Sequence, residues 1–174
     1  MRSKGRHFFD AGALIAVVGM LLLLTACGKK DDTEAVRDLI KKGAELAQKH
    51  AVGDLMELTT EDFSASPGTR DAGEVKKILF LAFQHYGVFE IHYPRPSVSF
   101  GREEGRAGTV LYFVIVRRDQ PFPELKELYR DPERWIEAAR EKADLYRLQL
   151  DLRKAGDDWK IQKAHLEGFK GYGF

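Results

Sequence analysis

A single cysteine, Cys27, in 174 residues excludes a disulfide within the chain and a zinc cluster built from several thiolates. Net charge is also scarce: 28 Lys and Arg against 27 Asp and Glu leave +1 at neutral pH. Removing Arg2, Lys4, Arg6 and Asp10 leaves 25 basic against 26 acidic residues. That balance carries no general attraction to nucleic acid or acidic lipid. The doublets Lys76-Lys77 and Arg117-Arg118 are isolated and belong on solvated faces rather than in a binding stripe. There is no phosphate loop, nucleophile elbow, dinucleotide fingerprint or internal repeat. Neither a cofactor nor a bound metal is expected. The longest hydrophobic run, Ala11 through Leu24, is short of the ~20 residues that cross a bilayer comfortably.

What is present begins there. Arg2, Lys4 and Arg6 form a basic head, the apolar run follows, and the small residues Thr25 and Ala26 precede Cys27. This is the three-part layout of a secretory signal. Leu24-Thr25-Ala26-Cys27 resembles the lipobox of bacterial lipoproteins. The resemblance implies cleavage before Cys27, a diacylglycerol on its sulfur and a further acyl chain on its new amine. Two or three chains would anchor stably, at about 0.8 kcal/mol per buried methylene. Gly28 stands where an aspartate would retain many Gram-negative lipoproteins at the inner membrane. The implied location is the bacterial cell envelope, at the outer membrane facing the periplasm. With Cys27 lipidated, no thiol remains for nucleophilic chemistry. The expected organisation is a signal peptide over 1–26, a lipidated tether over 27–33, and one domain over 34–174.

Within that domain helical periodicity comes first. Asp32 or Thr33 caps a helix whose apolar face is Val36, Leu39, Ile40, Gly43, Leu46 and Ala47, with Gly53 as its stop. A short second helix is expected from Asp54 to Thr59. Glu61-Asp62-Phe63 then leads into a loop, with Ser64, Ser66, Pro67 and Gly68 as turn chemistry and no base implied near either serine. A third helix starts near Asp71 and ends at Gly87. The period then becomes two. Phe89, Ile91 and Tyr93 share one face of a strand, and Glu90 and His92 the other. Pro94 and Pro96 push that strand to an edge or a bend.

Thr109 to Val116 is apolar on both faces and needs a cover on each. The segment 119–142, with Asp131-Pro132 as a helix start and Trp135, Ile136, Ala139 and Ala143 as an apolar stripe, is a candidate for the second cover. Two final strands follow. Tyr146, Leu148, Leu150 and Leu152 face inward on the first, and Ala155-Gly156-Asp157-Asp158 turns into Trp159-Lys160-Ile161.

Helices segregated from consecutive strands make an α+β chain. The amphipathic first helix, the short second helix running into Glu61-Asp62-Phe63, and the closing hairpin with Trp159 and Ile161 resemble the nuclear-transport-factor-2-like superfamily. That superfamily implies a cone formed by a curved antiparallel sheet packed on N-terminal helices; here a helical insertion interrupts two strands. Its members include isomerases and dehydratases with acids, tyrosines or histidines inside the cone. No such set maps onto this chain residue by residue.

The candidate pocket is aromatic: Phe63, Phe83, Tyr93, Tyr112 and Tyr146, the last three as inward-facing tyrosines. The acid–base candidates are Asp62 at the mouth, His85 and His165. His50 and His85 lie near helix ends, where an imidazole commonly meets terminal carbonyls. The leading expectation is a non-catalytic module that binds a small apolar ligand or an envelope protein. The alternative is an isomerase, dehydratase or cyclase-like enzyme with Asp62 or a histidine as base. An assembly role would require a large exposed apolar patch around Trp135.

Overall fold

A computed structural model describes residues 31–169. The Leu24-Thr25-Ala26-Cys27 motif lies outside these residues, as do the final five of the tail. The chain from Asp32 onward is one compact unit.

Helix α1 (Asp32–Gln48) is followed by α2 (Val52–Glu57), strand β1 (Thr59–Ser66), α3 (Ala72–Tyr86), β2 (Phe89–His92), β3 (Ser97–Phe100) and β4 (Arg106–Arg117). A 3-10 turn (Lys126–Leu128), α4 (Pro132–Arg140), β5 (Leu145–Ala155) and β6 (Asp158–Gly168) complete it. The six strands form one sheet in the order β1-β6-β5-β4-β2, with β3 also paired to β4. The class is α+β, as expected, with an antiparallel sheet against the N-terminal helices. One pairing departs from it: β1 runs parallel to β6. Thr59–Ser66 is therefore a strand between the second and third helices, where a loop was expected.

The first helix begins at Asp32, so Asp32 and Thr33 lie within its first turn. Asp32 Oδ1 accepts from Lys154 Nζ at 2.7 Å and from Trp159 Nε1 at 3.1 Å, which ties the helix start to the β5–β6 hairpin. Its end differs from the expectation. His50 takes a left-handed conformation (φ 56°), and Gly53 lies inside α2. An imidazole tolerates that region at a cost, and here Nε2 faces the Gly87 carbonyl at 2.9 Å while the ring stacks on Phe83 and Phe89. For α3, the Asp71 carboxylate accepts from the Glu74 N–H at 2.8 Å and Glu74 returns the bond at 3.2 Å, a capping box. Gly87, at φ 62°, ends it.

β4 is covered on both faces. Inward, Leu111 and Phe113 pack with Leu150, Leu152 and Trp159 beneath Val36 and Ile40 of α1. Outward, Val114 and Val116 pack with Leu145 beneath Trp135, Ile136 and Ala139 of α4. The 119–142 segment thus covers the outer face of the sheet. It is also fastened to the proline-rich link between β2 and β3, through Arg95 N–H to the Tyr129 carbonyl at 2.8 Å. Trp135 is only 3% exposed, so it is part of the cover's core rather than the centre of an exposed apolar patch. A third cluster joins Ala47, Val52, Phe83 and Phe89 where α1, α2 and α3 meet β2. Prolines 94 and 96 separate β2 from β3, and both strands pair with the same side of β4.

Candidate functional site

The inner face changes along β5. Leu150 and Leu152 are sealed under α1, at 4% and 1% exposure, while Tyr146 and Leu148 are half-buried. Opposite Leu148 on β6 stands Leu166, 45% exposed. Antiparallel alternation puts these residues on one face, so the inner face is sealed towards the hairpin and partly exposed towards its other, more open end.

At the open end the Tyr86 and Tyr146 hydroxyls are 2.9 Å apart. Tyr146 also stacks on Phe113 at 5.4 Å. The bond to Tyr86, followed by burial, raises the Tyr146 phenol to about 12. Burial, with Tyr129 nearby, does the same to Tyr93. Both are neutral phenols at physiological pH: hydrogen-bond donors and acceptors on an apolar wall. Tyr86 was not among the residues expected at the site. Its helical spacing from Leu79, Ala82 and Phe83 was visible in the sequence, but its partner lies 60 positions away.

The aromatic candidates do not form one pocket. Phe83 belongs to the cluster at the α1–α3 junction and Tyr93 and Tyr146 to the inner core. Phe63 is 7% exposed. Tyr112 is on the outer face, edge-on to Phe169 at 5.0 Å. The reason is parity: Tyr112 lies between Leu111 and Phe113, both of which point inward.

The acid–base candidates are also redistributed. Asp62 is at no mouth: it accepts two bonds from Arg153 (2.7 and 3.1 Å) and one from Gln162 (2.7 Å) on the outer face. Donation from Gln162 above all, with Arg153 adding, holds its carboxyl at about 2. Such a carboxylate is a poor base at neutral pH. His85 is exposed on α3, edge-on to Tyr86 at 5.5 Å. His165 sits on the outer face of β6, its Nδ1 2.7 Å from Ser66 Oγ and its Nε2 3.5 Å from Glu167. That neighbour overturns the expectation that Ser66 has no base nearby; the loop assignment had hidden β1 and hence its pairing with β6.

His92 is half-buried under Phe122, with ring centroids 4.8 Å apart, and burial lowers its pKa. It lines a concavity of about 160 Å³ with Glu90, Arg117, Arg118 and Gln120. A second concavity, of about 410 Å³, lies near Ser99, Arg106, Asp151 and Lys163. Neither includes Tyr86 or Tyr146. Among the described residues no group of three or more His, Cys, Asp or Glu could hold a metal ion, and no helix is long and apolar enough to cross a membrane. Exposed apolar side chains concentrate on α3 and just after it, at Ile78, Phe80, Leu81 and Val88.

No protein-family model matches the sequence and no curated protein matches it. Solved structures do. A nuclear-transport-factor-2-like protein with a cystatin-like fold from Novosphingobium aromaticivorans is similar over 95% of this chain and 94% of its own, with TM-score 0.57 and 16% identity. A proposed dehydratase of the same family from Streptomyces avermitilis is similar over 80% of this chain and 97% of its own, with TM-score 0.59 and 17% identity. A proposed scytalone dehydratase from N. aromaticivorans covers 79% and 84%, with TM-score 0.57 and 14% identity. The chain has the nuclear-transport-factor-2-like fold.

Proposed function

We propose that this is a lipid-anchored envelope protein whose cone binds a small apolar ligand without chemistry in the cone. The observation that carries the reading is the half-open end of the inner face. There Leu148 and Leu166 stand beside the paired hydroxyls of Tyr86 and Tyr146. Apolar walls with a few convergent polar groups are the usual make-up of small-molecule sites. Catalysis by a carboxylate or imidazole base would need that group at this wall. Asp62 and His165 are on the opposite face, and His85 is exposed on the helix surface.

Anchoring rests on the lipobox at Leu24-Thr25-Ala26-Cys27 and outer-membrane placement on Gly28. Cys27→Ala should move the protein from the membrane to the soluble fraction. Ligand binding is tested by native mass spectrometry of residues 31–174. The expected result is a bound mass that is lost on denaturation and weakened by Leu148→Lys. A bare domain, with no stabilisation by fatty acids or aromatic small molecules, would overturn the reading.

A second reading, docking of an envelope protein, is supported by the exposed Ile78, Phe80 and Leu81 on α3. Cross-linking in intact envelopes from α3 positions would separate it from the first. An isomerase- or dehydratase-like activity draws support from the Tyr86–Tyr146 pair and from the proposed dehydratases of the same fold. It requires turnover that falls when Tyr146 becomes phenylalanine.

A further inference from the structure

On the outer face of the sheet a row of polar side chains crosses three strands, two of its links being hydrogen bonds and one a longer approach. Ser66 Oγ of β1 is 2.7 Å from His165 Nδ1 of β6. The other ring nitrogen, Nε2, faces Glu167 Oε2 at 3.5 Å. Glu167 in turn accepts from Arg147 of β5 at 2.8 Å, and Arg147 also reaches Gln149 at 3.4 Å. The row follows from register. Ser66 pairs with His165 in the parallel ladder, and Glu167 pairs with Arg147 in the antiparallel one. Alternation then places His165 and Glu167 on the same face, two residues apart.

The roles of the two ring nitrogens follow from their neighbours in the proposed arrangement. A carboxylate beside Nε2 favours the proton on that nitrogen, which leaves Nδ1 as the acceptor for the serine hydroxyl. The competing acceptor for Ser66 Oγ, the Ala164 carbonyl, is at 3.5 Å, far longer than the bond to the ring. Nucleophile, base and an acid behind the base are the three roles of an activated serine, which is recognised by geometry rather than by sequence order. The His165 side chain is 40% exposed, so a small reagent can reach it.

We propose that Ser66 is a base-activated nucleophile that accepts acyl groups from small esters, with His165 as its base and Glu167 holding the imidazole. This site is separate from the cone and does not depend on the ligand-binding reading. In the step, Ser66 Oγ bonds to the ester carbonyl carbon as its proton passes to His165 Nδ1. The carbon–alkoxide bond then breaks, the alkoxide takes that proton, and an alcohol leaves. Water next attacks the acyl-serine with His165 again taking the proton. The carboxylic acid departs and Ser66 regains its hydrogen.

The contrary view is that Ser66 and His165 only pin β1 to β6, which would leave Ser66 no more reactive than Ser64. The two are separated by treating the full chain in detergent with a small fluorophosphonate and following intact mass and peptide maps. The expected result is one adduct, on Ser66, that is absent in Ser66→Ala and unchanged in Ser64→Ala. His165→Ala should slow its formation by at least about a hundredfold, the scale of general-base assistance. Glu167→Gln should slow it as well at an unchanged melting temperature, which a purely structural role would not do. Each variant is checked for the wild-type circular dichroism spectrum, and Ser64→Ala supplies the matched control. No adduct on the folded wild-type chain, an adduct elsewhere, or labelling of Ser66 indifferent to His165→Ala would overturn the proposal.

Discussion

The inner and outer faces of this sheet use the same strands and reach burial by different routes. Inward, Leu111, Phe113, Leu150 and Leu152 meet helices from the beginning of the chain. Outward, Val114, Val116 and Leu145 meet a helix inserted between β4 and β5. On the rest of the outer face the side chains bond one another, Asp62 to Arg153 and Gln162, and Arg147 to Glu167. An apolar face must be hidden from water, whereas a polar face needs only partners. The comparison explains why the open part of the inner face stands out. Leu148 and Leu166 are apolar, and neither sealed like Leu152 nor replaced by polar residues like their outward neighbours.

If the insertion is as much a part of the core as the N-terminal helices, Trp135→Ala should cost about 3–5 kcal/mol, the range for deleting a buried large aromatic. Denaturant unfolding would measure it. A loss below 1 kcal/mol would make α4 a loosely held cover instead. Leu152→Ala, on the inner face at 1% exposure, should cost about 2–5 kcal/mol with the same measurement. Similar losses for the two variants would put both covers in one cooperative unit, and separate transitions would split them. Asp71→Ala, which removes the capping box of α3, should cost about 1 kcal/mol. It should also increase amide exchange at the start of α3 rather than across the sheet.

The smallest effect is expected on the polar part of the outer face. The Asp62 carboxyl is held at about 2, below its ordinary 3.8. Its contribution to stability is therefore present above pH ~3.8 and is lost as pH falls towards ~2. Asp62→Asn should flatten the acid limb of the melting-temperature profile in that window and leave neutral-pH stability nearly unchanged, because the pair is exposed and screened. A parallel profile in the variant would remove Asp62 from the acid response.

Much of the fold was legible in the residues. Helical spacing in Val36, Leu39, Ile40 and Ala47, and the Asp71 and Asp131-Pro132 starts, located three helices. Period-two alternation through Phe89, Ile91 and Tyr93 placed β2, and the prolines put it at an edge. The two-sided apolar run of β4 required a second cover. β1 was not legible, because Thr59–Ser66 is mostly polar and its one strong partner, β6, begins about 90 residues later in the chain. A parallel edge strand leaves no local hairpin signal. The position of Tyr112 was misread for a different reason. In a strand apolar on both faces, alternation cannot say which parity is inward until the neighbours are known.

Local chemistry alone determined the apolar and polar periods, the Asp71 and Asp131 caps and the turns, because each depends on residues within a few positions of one another. Register decided the rest. Pairing β1 with β6 brought Ser66 to His165, pairing β5 with β6 brought Arg147 to Glu167, and packing α3 over the sheet brought Tyr86 to Tyr146. These contacts join groups 20 to 99 positions apart. No periodicity encodes such distances. They exist only because burying the apolar faces fixed each element against its neighbour, and a slip of one residue in a strand would have turned that strand's side chains to the opposite face.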